Sequence, residues 1–426
     1  MELAIVGLPR SGKSTVFNAL TRGAAQVAAS SVQRQATIAV ARVADTRLNA
    51  LADIFQPRTV TRAEVTYADI PAPPEGLGQT RGIHGEYLNQ LQRADALIVV
   101  ARAFDDPTVA DGGDGVDPRR DLEAMLYELT FADLEILDRR LGRLDAASKG
   151  AQGAERDALD RERELINRLK SGLDEGTAIR DQTLGEDDAK RAKDFQFLTA
   201  KPLVLIVNAG EEQLADVAEL EASTTSGFDG KSVRTAALCG KLEMELAQMD
   251  PEEERDFRES MGAGESAPDR VVRLSFHLLD QITFFTGNSK EVRAWAISRG
   301  ATPLKAAGQI HSDLERGFIR AEVVAFEELV RVGSLAEAKR QASRATSADT
   351  PSSSKIMRPG LTLHIQYSGE PLPLPIRTSV GFFETGTSGK IRIHSLPERF
   401  ICRVMARRAA SIWRPVIRAG PVAFKP

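Results

Sequence analysis

Gly7-Leu-Pro-Arg-Ser-Gly12-Lys13-Ser14 has a spacing that can hold a chain of phosphates. Gly7 and Gly12 let the backbone turn tightly, so that successive N–H groups face one anion. A helix-like stretch, Ser14 to Leu20, starts where the loop ends, and its N-terminus adds partial positive charge. Lys13 would neutralise β- and γ-phosphates. Ser14 would offer its hydroxyl to Mg²⁺, a hard cation that prefers oxygen. Pro9, Arg10, Ser11 and Thr15 fill out the loop that would wrap a nucleotide. Further along, Asp69 ends the apolar run Ala63 to Ile70, where a carboxylate can hold the water shell of such a metal. Thr37, read as part of a mobile loop, is a further candidate hydroxyl for the metal. Lys13 and Asp69 are thus the expected catalytic pair, with Ser14, Thr37 and Asp69 around Mg²⁺.

Two later segments stand where a base would be read. Asn208 ends the run Pro202 to Val207, and Glu211 follows in Asn208-Ala-Gly-Glu211. A guanine reader is usually Asn-Lys-x-Asp, whose carboxylate accepts from two guanine N–H groups. Here the Lys is missing and the acid is one methylene longer, which weakens guanine selectivity. Cys239, Gly240 and Lys241 follow the next apolar run and would close the base pocket from the other side.

The elements that must position these residues alternate short apolar runs with helical patterns. Leu3–Gly7, Ala63–Ile70, Ala96–Phe104, Pro202–Asn208 and Ser232–Cys239 read as strands of a mostly parallel sheet covered by helices, an α/β fold of the P-loop type. Residues 118–198 interrupt that rhythm. Leucines and isoleucines from Leu122 to Leu144, and again from Leu159 to Leu173, recur at helical steps, with a break at Ser148-Lys149-Gly150. The pattern predicts a hairpin of two long antiparallel helices inserted between two strands. Expected boundaries are 1–117 and 199–270 for the two parts of the nucleotide-binding domain, 118–198 for the hairpin, 271–340 for a further domain, and 341–426 for a Ser/Thr/Pro-rich linker, or disordered segment, and basic tail. Within that tail Leu361–Tyr367 and Lys390–His394 are strand candidates.

The 426 residues carry a net charge of −4, unevenly spread. From Gln341 onward 13 Lys/Arg face 4 Asp/Glu, a net +9, so the first 340 residues carry −13. The basic tail suggests a polyanionic partner, and RNA contact by Arg407, Arg408, Trp413 and Arg414 is one form of it. No apolar run approaches the roughly 20 residues that cross a bilayer. Nor does the N-terminus read as a signal peptide. Two cysteines make neither a disulfide framework nor a zinc cluster, so a cytoplasmic, reducing compartment and no membrane partner are the expectation.

With these residues in view, the chain resembles the YchF/Obg-like ATPases. Ile5 to Thr21 is similar to that family's P-loop, and Asn208 to Glu211 to its atypical N-x-x-E, which accepts ATP beside or instead of GTP. Thr283–Thr286, Glu291–Trp295, Gly300–Thr302 and Ala306–Val323 resemble its TGS-domain signature, and the likeness runs over about residues 1–340. The resemblance implies a nucleotide-binding domain, a coiled-coil hairpin and a C-terminal α+β domain of β-grasp (TGS-like) type, with ATP or GTP as substrate and ribosomes as partner. Three positions depart from the family. Its Asp-x-x-Gly reads Asp69-Ile-Pro-Ala72 here, stiffened by Pro71, Pro73 and Pro74, which remove donors. The family's loop histidine is missing from Thr108–Gly115, where Asp111 lies nearest, and His84 is a poor substitute. After Arg340 the signature stops. The expectation is a slow, Mg-dependent ATPase switch; the alternatives are a nucleotide-dependent binding module with little hydrolysis and a GTP-specific switch. His311, Asp313 and Glu315 read as fold residues rather than a metal site, and Trp295 as core.

Overall fold

The computed structural model describes residues 1–23, 36–71, 77, 82–106, 115–228, 230–260, 266–338, 340 and 361–367, the last segment by its backbone. The chain forms two compact units, one of residues 1–44 and 64–280, the other of residues 45–63 and 281–426. Among the described residues no helix is long and apolar enough to cross a membrane.

The first unit is built on a six-stranded sheet in the order β2-β4-β1-β5-β6-β7. Its strands are β1 (Glu2–Val6), β2 (Thr37–Arg42), β4 (Glu64–Asp69), β5 (Ala96–Arg102), β6 (Leu203–Asn208) and β7 (Val233–Leu238). All neighbours run parallel except β2, which is antiparallel to β4 at the edge. β5 and β6 are buried at every position because helices cover both faces, which is why they read as unbroken apolar runs. Parallel strands bring their C-terminal ends to one edge, so Val6, Asp69, Arg102, Asn208 and Leu238 open into the same loops. The first unit also holds α1 (Lys13–Leu20), α3 (Gly85–Arg93), α7 (Val217–Thr225), α8 (Gly240–Leu246), α9 (Pro251–Ser260) and α10 (Ala267–Leu278), with α6 (Glu186–Lys193) packed by Ala192 into the core of the helical hairpin.

The hairpin is α4 (Pro118–Ser148) with α5 (Ala154–Asp174). Asp117 caps α4, its carboxylate accepting from Arg120 N at 3.0 Å, and Pro118 sits in the first turn, where its missing N–H costs nothing. Arg140 pairs with Glu162 at 2.6 Å, Arg163 with Asp145 at 2.8 Å, and Lys170 with Asp138, a ladder that only antiparallel helices make. The apolar stripe of α4 changes partner along its length. Leu122, Met125 and Leu129 pack on the sheet, while Leu137 and Leu144 meet Leu165, Ile166 and Leu169 of α5.

Where those two stretches meet lies Asp133, fully buried, accepting from Leu198 N at 2.9 Å and from Thr199 N and Oγ1 at 2.7 and 2.6 Å. Burial outweighs these bonds and pushes its carboxyl up to about 6. Folding therefore favours the protonated acid. Its contribution to stability is largest at low pH and declines as pH rises from about 4 to about 6, by roughly 3 kcal/mol over the full shift. Urea unfolding of the wild type and Asp133→Asn between those pH values checks this. The gap between the two proteins is expected to move toward the asparagine variant as pH rises, and a gap independent of pH would refute the assignment.

The second unit holds a five-stranded sheet in the order β10-β11-β8-β9-β3, with β3 (Thr59–Thr61), β8 (Gln281–Gly287), β9 (Glu291–Ser298), β10 (Phe318–Ala325) and β11 (Leu361–Tyr367). Helices α2 (Arg47–Phe55), α11 (Pro303–Ile310), α12 (Ser312–Arg316) and α13 (Phe326–Val332) belong with it. Ile282, Phe284 and Ile297 of the sheet pack on Ala306, Ala307 and Leu314. Trp295 lies against this core, stacked on Phe284 at 6.3 Å and donating Nε1–H to Thr286 Oγ1 at 3.0 Å. His311 caps α12, its Nδ1 accepting from Asp313 N at 3.1 Å, which is a fold role.

Three sequence-based expectations are corrected here. The boundary at 270/271 falls inside α10, whose Val271, Val272 and Phe276 are buried in the first unit. Residues 45–63 leave the first unit because Phe55 lies where a Cβ on Gly287 would stand, 2.6 Å away, and Arg47 covers Phe285 at 4.9 Å. The 341–426 linker and tail is interrupted at residues 361–367, which form the strand that their sequence pattern predicts. As β11 they pair antiparallel with β10 and parallel with β8, giving the sheet an inner strand. The remaining residues beyond Arg340, including Lys390–His394, Arg407, Arg408, Trp413 and Arg414, lie outside the described ones.

Candidate functional site

β1 ends at Val6 and the chain turns at once. At Gly7 an added Cβ would lie 2.4 Å from Val100 O of β5, so the loop runs against the backbone of the neighbouring strand. Arg10 and Gly12 take positive φ, 66° and 82°, which coils the loop inward before α1 begins at Lys13. Ser11 is buried and its N–H donates to Leu8 O at 3.2 Å, while Pro9 and Arg10 are exposed. Among the described residues no side chain caps α1. A helix leaves its first N–H groups without intrahelical acceptors, so those of Lys13, Ser14 and Thr15 present themselves to an anion.

Lys13 and Asp69 face each other across this loop. Burial lowers the Lys13 ammonium from its ordinary value, and the Asp69 charge partly opposes that. Burial likewise raises the Asp69 carboxyl, against a hydrogen bond from Ser14 and the charge of Lys13. The Ser14 hydroxyl donates to Asp69 Oδ2 at 2.6 Å. Asp69 Oδ1 is buried and, among the described residues, has no hydrogen-bond partner. A hydroxyl and a carboxylate with one unused oxygen form an all-oxygen donor set, the chemistry that Mg²⁺ takes. These residues therefore fit such an ion. Thr37 heads β2, directly opposite Asp69 in the strand register. It is a strand residue rather than a loop residue, because the Thr37–Arg42 stretch completes the sheet edge.

Asn208, Glu211, Cys239, Gly240 and Lys241 gather at the next strand ends. Asn208 is buried, and its amide works within the protein. Nδ2 donates to Ser11 O at 3.1 Å, and Oδ1 accepts from Gly240 N at 3.0 Å. It clamps the phosphate loop to the start of α8. Glu211 is exposed and pairs with Lys241 at 2.9 Å, joining the loops after β6 and β7. Gln213 Nε2 holds this loop to Ala103 O at 2.9 Å. Cys239 is buried, and burial pushes its thiol up, away from the reactive thiolate.

Sequence reasoning placed Asn208 at the base but missed its clamp, since its partners come from elements far away in the chain. It also missed a chain of ion pairs at the far end of α1. Arg22 meets Glu254 at 2.7 Å, Glu254 meets Arg258 at 3.0 Å, and Arg258 meets Glu243 of α8. Ala72, Pro73, Pro74 and Asp111 lie outside the described residues.

Comparison with known proteins gives matches along both units. The family model YchF-GTPase_C, described as "Protein of unknown function (DUF933)", matches residues 281–350. MMR_HSR1, described as "50S ribosome-binding GTPase", matches residues 2–132. The "Ribosome-binding ATPase YchF" of Bacillus subtilis (strain 168) is 34% identical over 342 residues, 80% of this chain and 92% of that protein. The protein of the same name from Haemophilus ducreyi is 33% identical over 331 residues, 78% of this chain and 90% of that one. A solved structure, that of the Schizosaccharomyces pombe YchF GTPase, aligns with a TM-score of 0.69 at 24% identity over 86% of this chain and 97% of that chain, a likeness of fold.

Proposed function

Because this chain belongs to the YchF family, we propose that it is a Mg²⁺-dependent nucleotide switch of the cytoplasm that binds ATP, hydrolyses it slowly, and acts on the ribosome. The observation that carries this reading is the Lys13–Ser14–Asp69 arrangement at the head of α1, with Asp69 Oδ1 buried and unused. The loop N–H groups and Lys13 bind and neutralise the β- and γ-phosphates. Ser14 and Asp69, with the Thr37 hydroxyl from the head of β2, would hold Mg²⁺. Bound there, the ion supplies positive charge against the phosphate oxygens. Asn208 fixes the distance between phosphate loop and base pocket. Glu211 stands on the base side with Lys241 on its carboxylate, which takes up acceptor capacity that guanine N–H groups need and so supports ATP over GTP. Turnover is slow in this reading because the family's water-orienting loop histidine has no counterpart in Thr108–Gly115. We assign residues 1–44 and 64–280 to a nucleotide-binding domain carrying the α4–α5 hairpin, and the second unit to a TGS-like β-grasp domain.

Phosphate release from ATP and GTP, each with and without ribosomes, tests the proposal. ATP turnover is expected to exceed GTP turnover and to change when ribosomes are added. Turnover with neither nucleotide, with ATP affinity intact, would leave a binding module. Equal or preferred use of GTP would remove the adenine assignment.

A further inference from the structure

On the opposite edge of the first unit's sheet from the phosphate loop, a cavity of about 860 Å³ opens at the root of the hairpin, where β6 and β7 begin. Its floor is apolar, formed by Leu203 and Leu205 of β6 and Val233 of β7. Tyr127 and Phe131 of α4, one helical turn apart, and Phe228 from the loop before β7 form its wall. Tyr127 is 63% exposed and Phe131 40%, so both rings face water beside a cavity they only partly fill. Phe228 is held in place by Arg119, whose guanidinium lies 5.2 Å from the ring centroid and donates to Ser226 O at 2.7 Å.

The opposite rim is acidic. Asp174, Glu175 and Asp181 are all exposed there. Arg180, the cation among the described lining residues, is taken up by Asp181 at 3.6 Å and by Thr199 O at 3.0 Å. The volume lies in the range of real ligand sites and exceeds what one side chain fills. Exposed aromatics grouped beside an apolar depression mark an interaction site rather than a solvated face. The charge decides what enters. A rim of carboxylates repels a nucleic acid and attracts lysine and arginine.

We propose that this cavity docks a basic peptide segment of a partner protein, which inserts an aromatic or large aliphatic side chain among Tyr127, Phe131 and Phe228 and sets its Lys or Arg residues against Asp174 and Glu175. The cavity borders β6 at its first residue, Leu203, while the nucleotide site uses its last, Asn208. Peptide and nucleotide can therefore be held together, and the proposal does not depend on which nucleotide binds.

Fluorescence anisotropy on the full chain tests it, with a labelled peptide of alternating lysine and leucine around a central tryptophan. A second peptide has serine for every leucine and tryptophan at the same charge, and a labelled single-stranded RNA serves as the other probe. The tryptophan peptide is expected to bind and the other two are not. Tyr127→Ser/Phe131→Ser should weaken it by roughly tenfold or more, as loss of aromatic anchors does. Asp174→Lys/Glu175→Lys should weaken it most at low salt. Both pairs are surface changes, and unchanged ATP affinity is the control for folding. Equal binding of the serine peptide, full affinity in the Tyr127/Phe131 variant, or tighter binding of RNA would each overturn the proposal.

Discussion

Alanine in place of Lys13 is expected to lower ATP turnover by about a hundredfold or more, the scale seen when one preorganised donor is removed from a site of developing charge. The surroundings of the Lys13 ammonium set the size of this effect. The ammonium is half-buried, burial lowers it from its ordinary value, and the Asp69 carboxylate faces it. A half-buried cation beside a carboxylate keeps charge for a phosphate chain, and partial withdrawal from water strengthens what that charge does. Removing it leaves the loop N–H groups as the remaining counter-charge. The measurement is phosphate release under single-turnover conditions, alongside ATP affinity by calorimetry. Both are expected to fall, turnover more than affinity, because charge on the transferring group is greatest at the transition state. Turnover within a few-fold of wild type would show that Lys13 lies outside the reaction.

Gly7→Ala is expected to cost about 2–3 kcal/mol of stability as well as nucleotide binding. The new methyl would stand 2.4 Å from Val100 O and 2.7 Å from Ser11 Oγ. Val100 lies in β5, buried at every position and hydrogen-bonded on both sides, so its carbonyl cannot retreat. The phosphate loop must move instead. Thermal unfolding should shift down by several degrees, and ATP should restore less of it than in the wild type. Gly142→Ala is the matching control. That glycine lies within α4 with open space around it, and the change is expected to be neutral or stabilising by up to about 1 kcal/mol. A Gly7→Ala protein with wild-type melting and ATP affinity would mean that the loop is slack.

How much of this could be read beforehand depended on distance along the chain. The phosphate loop was legible because its chemistry is local: glycines, Lys13 and Ser14 sit within one turn. β5 and β6 were legible because burial on both faces leaves an unbroken apolar run. The α4–α5 hairpin showed itself by its leucine spacing. β2 was not legible. Its Thr-Ile-Ala-Val-Ala-Arg alternates as an edge strand does, exposing Ile38 and Val40, and Thr37 therefore passed for a loop residue. The departure of α2 and β3 to the second unit had no local signal, because Thr61 meets Glu291 at 2.7 Å and β3 pairs with β9. Asn208 was expected beside a base, whereas its clamp on Ser11 and Gly240 needed three loops brought to one sheet edge.

The second sheet takes β3 from the early part of the chain, and β11 is its last described strand. As the polypeptide emerges during synthesis, α2 and β3 appear long before β9 exists to receive them. Leu48 and Leu51, fully enclosed at the end, must wait in the open meanwhile. The nucleotide-binding half has to reach its native state with this length looped out, and assembly closes only once Leu361–Tyr367 slots between β10 and β8. A chain that stops short of Leu361 would leave β8 and β10 without the strand that lies between them, and with it two unpaired strand edges of the kind that aggregate.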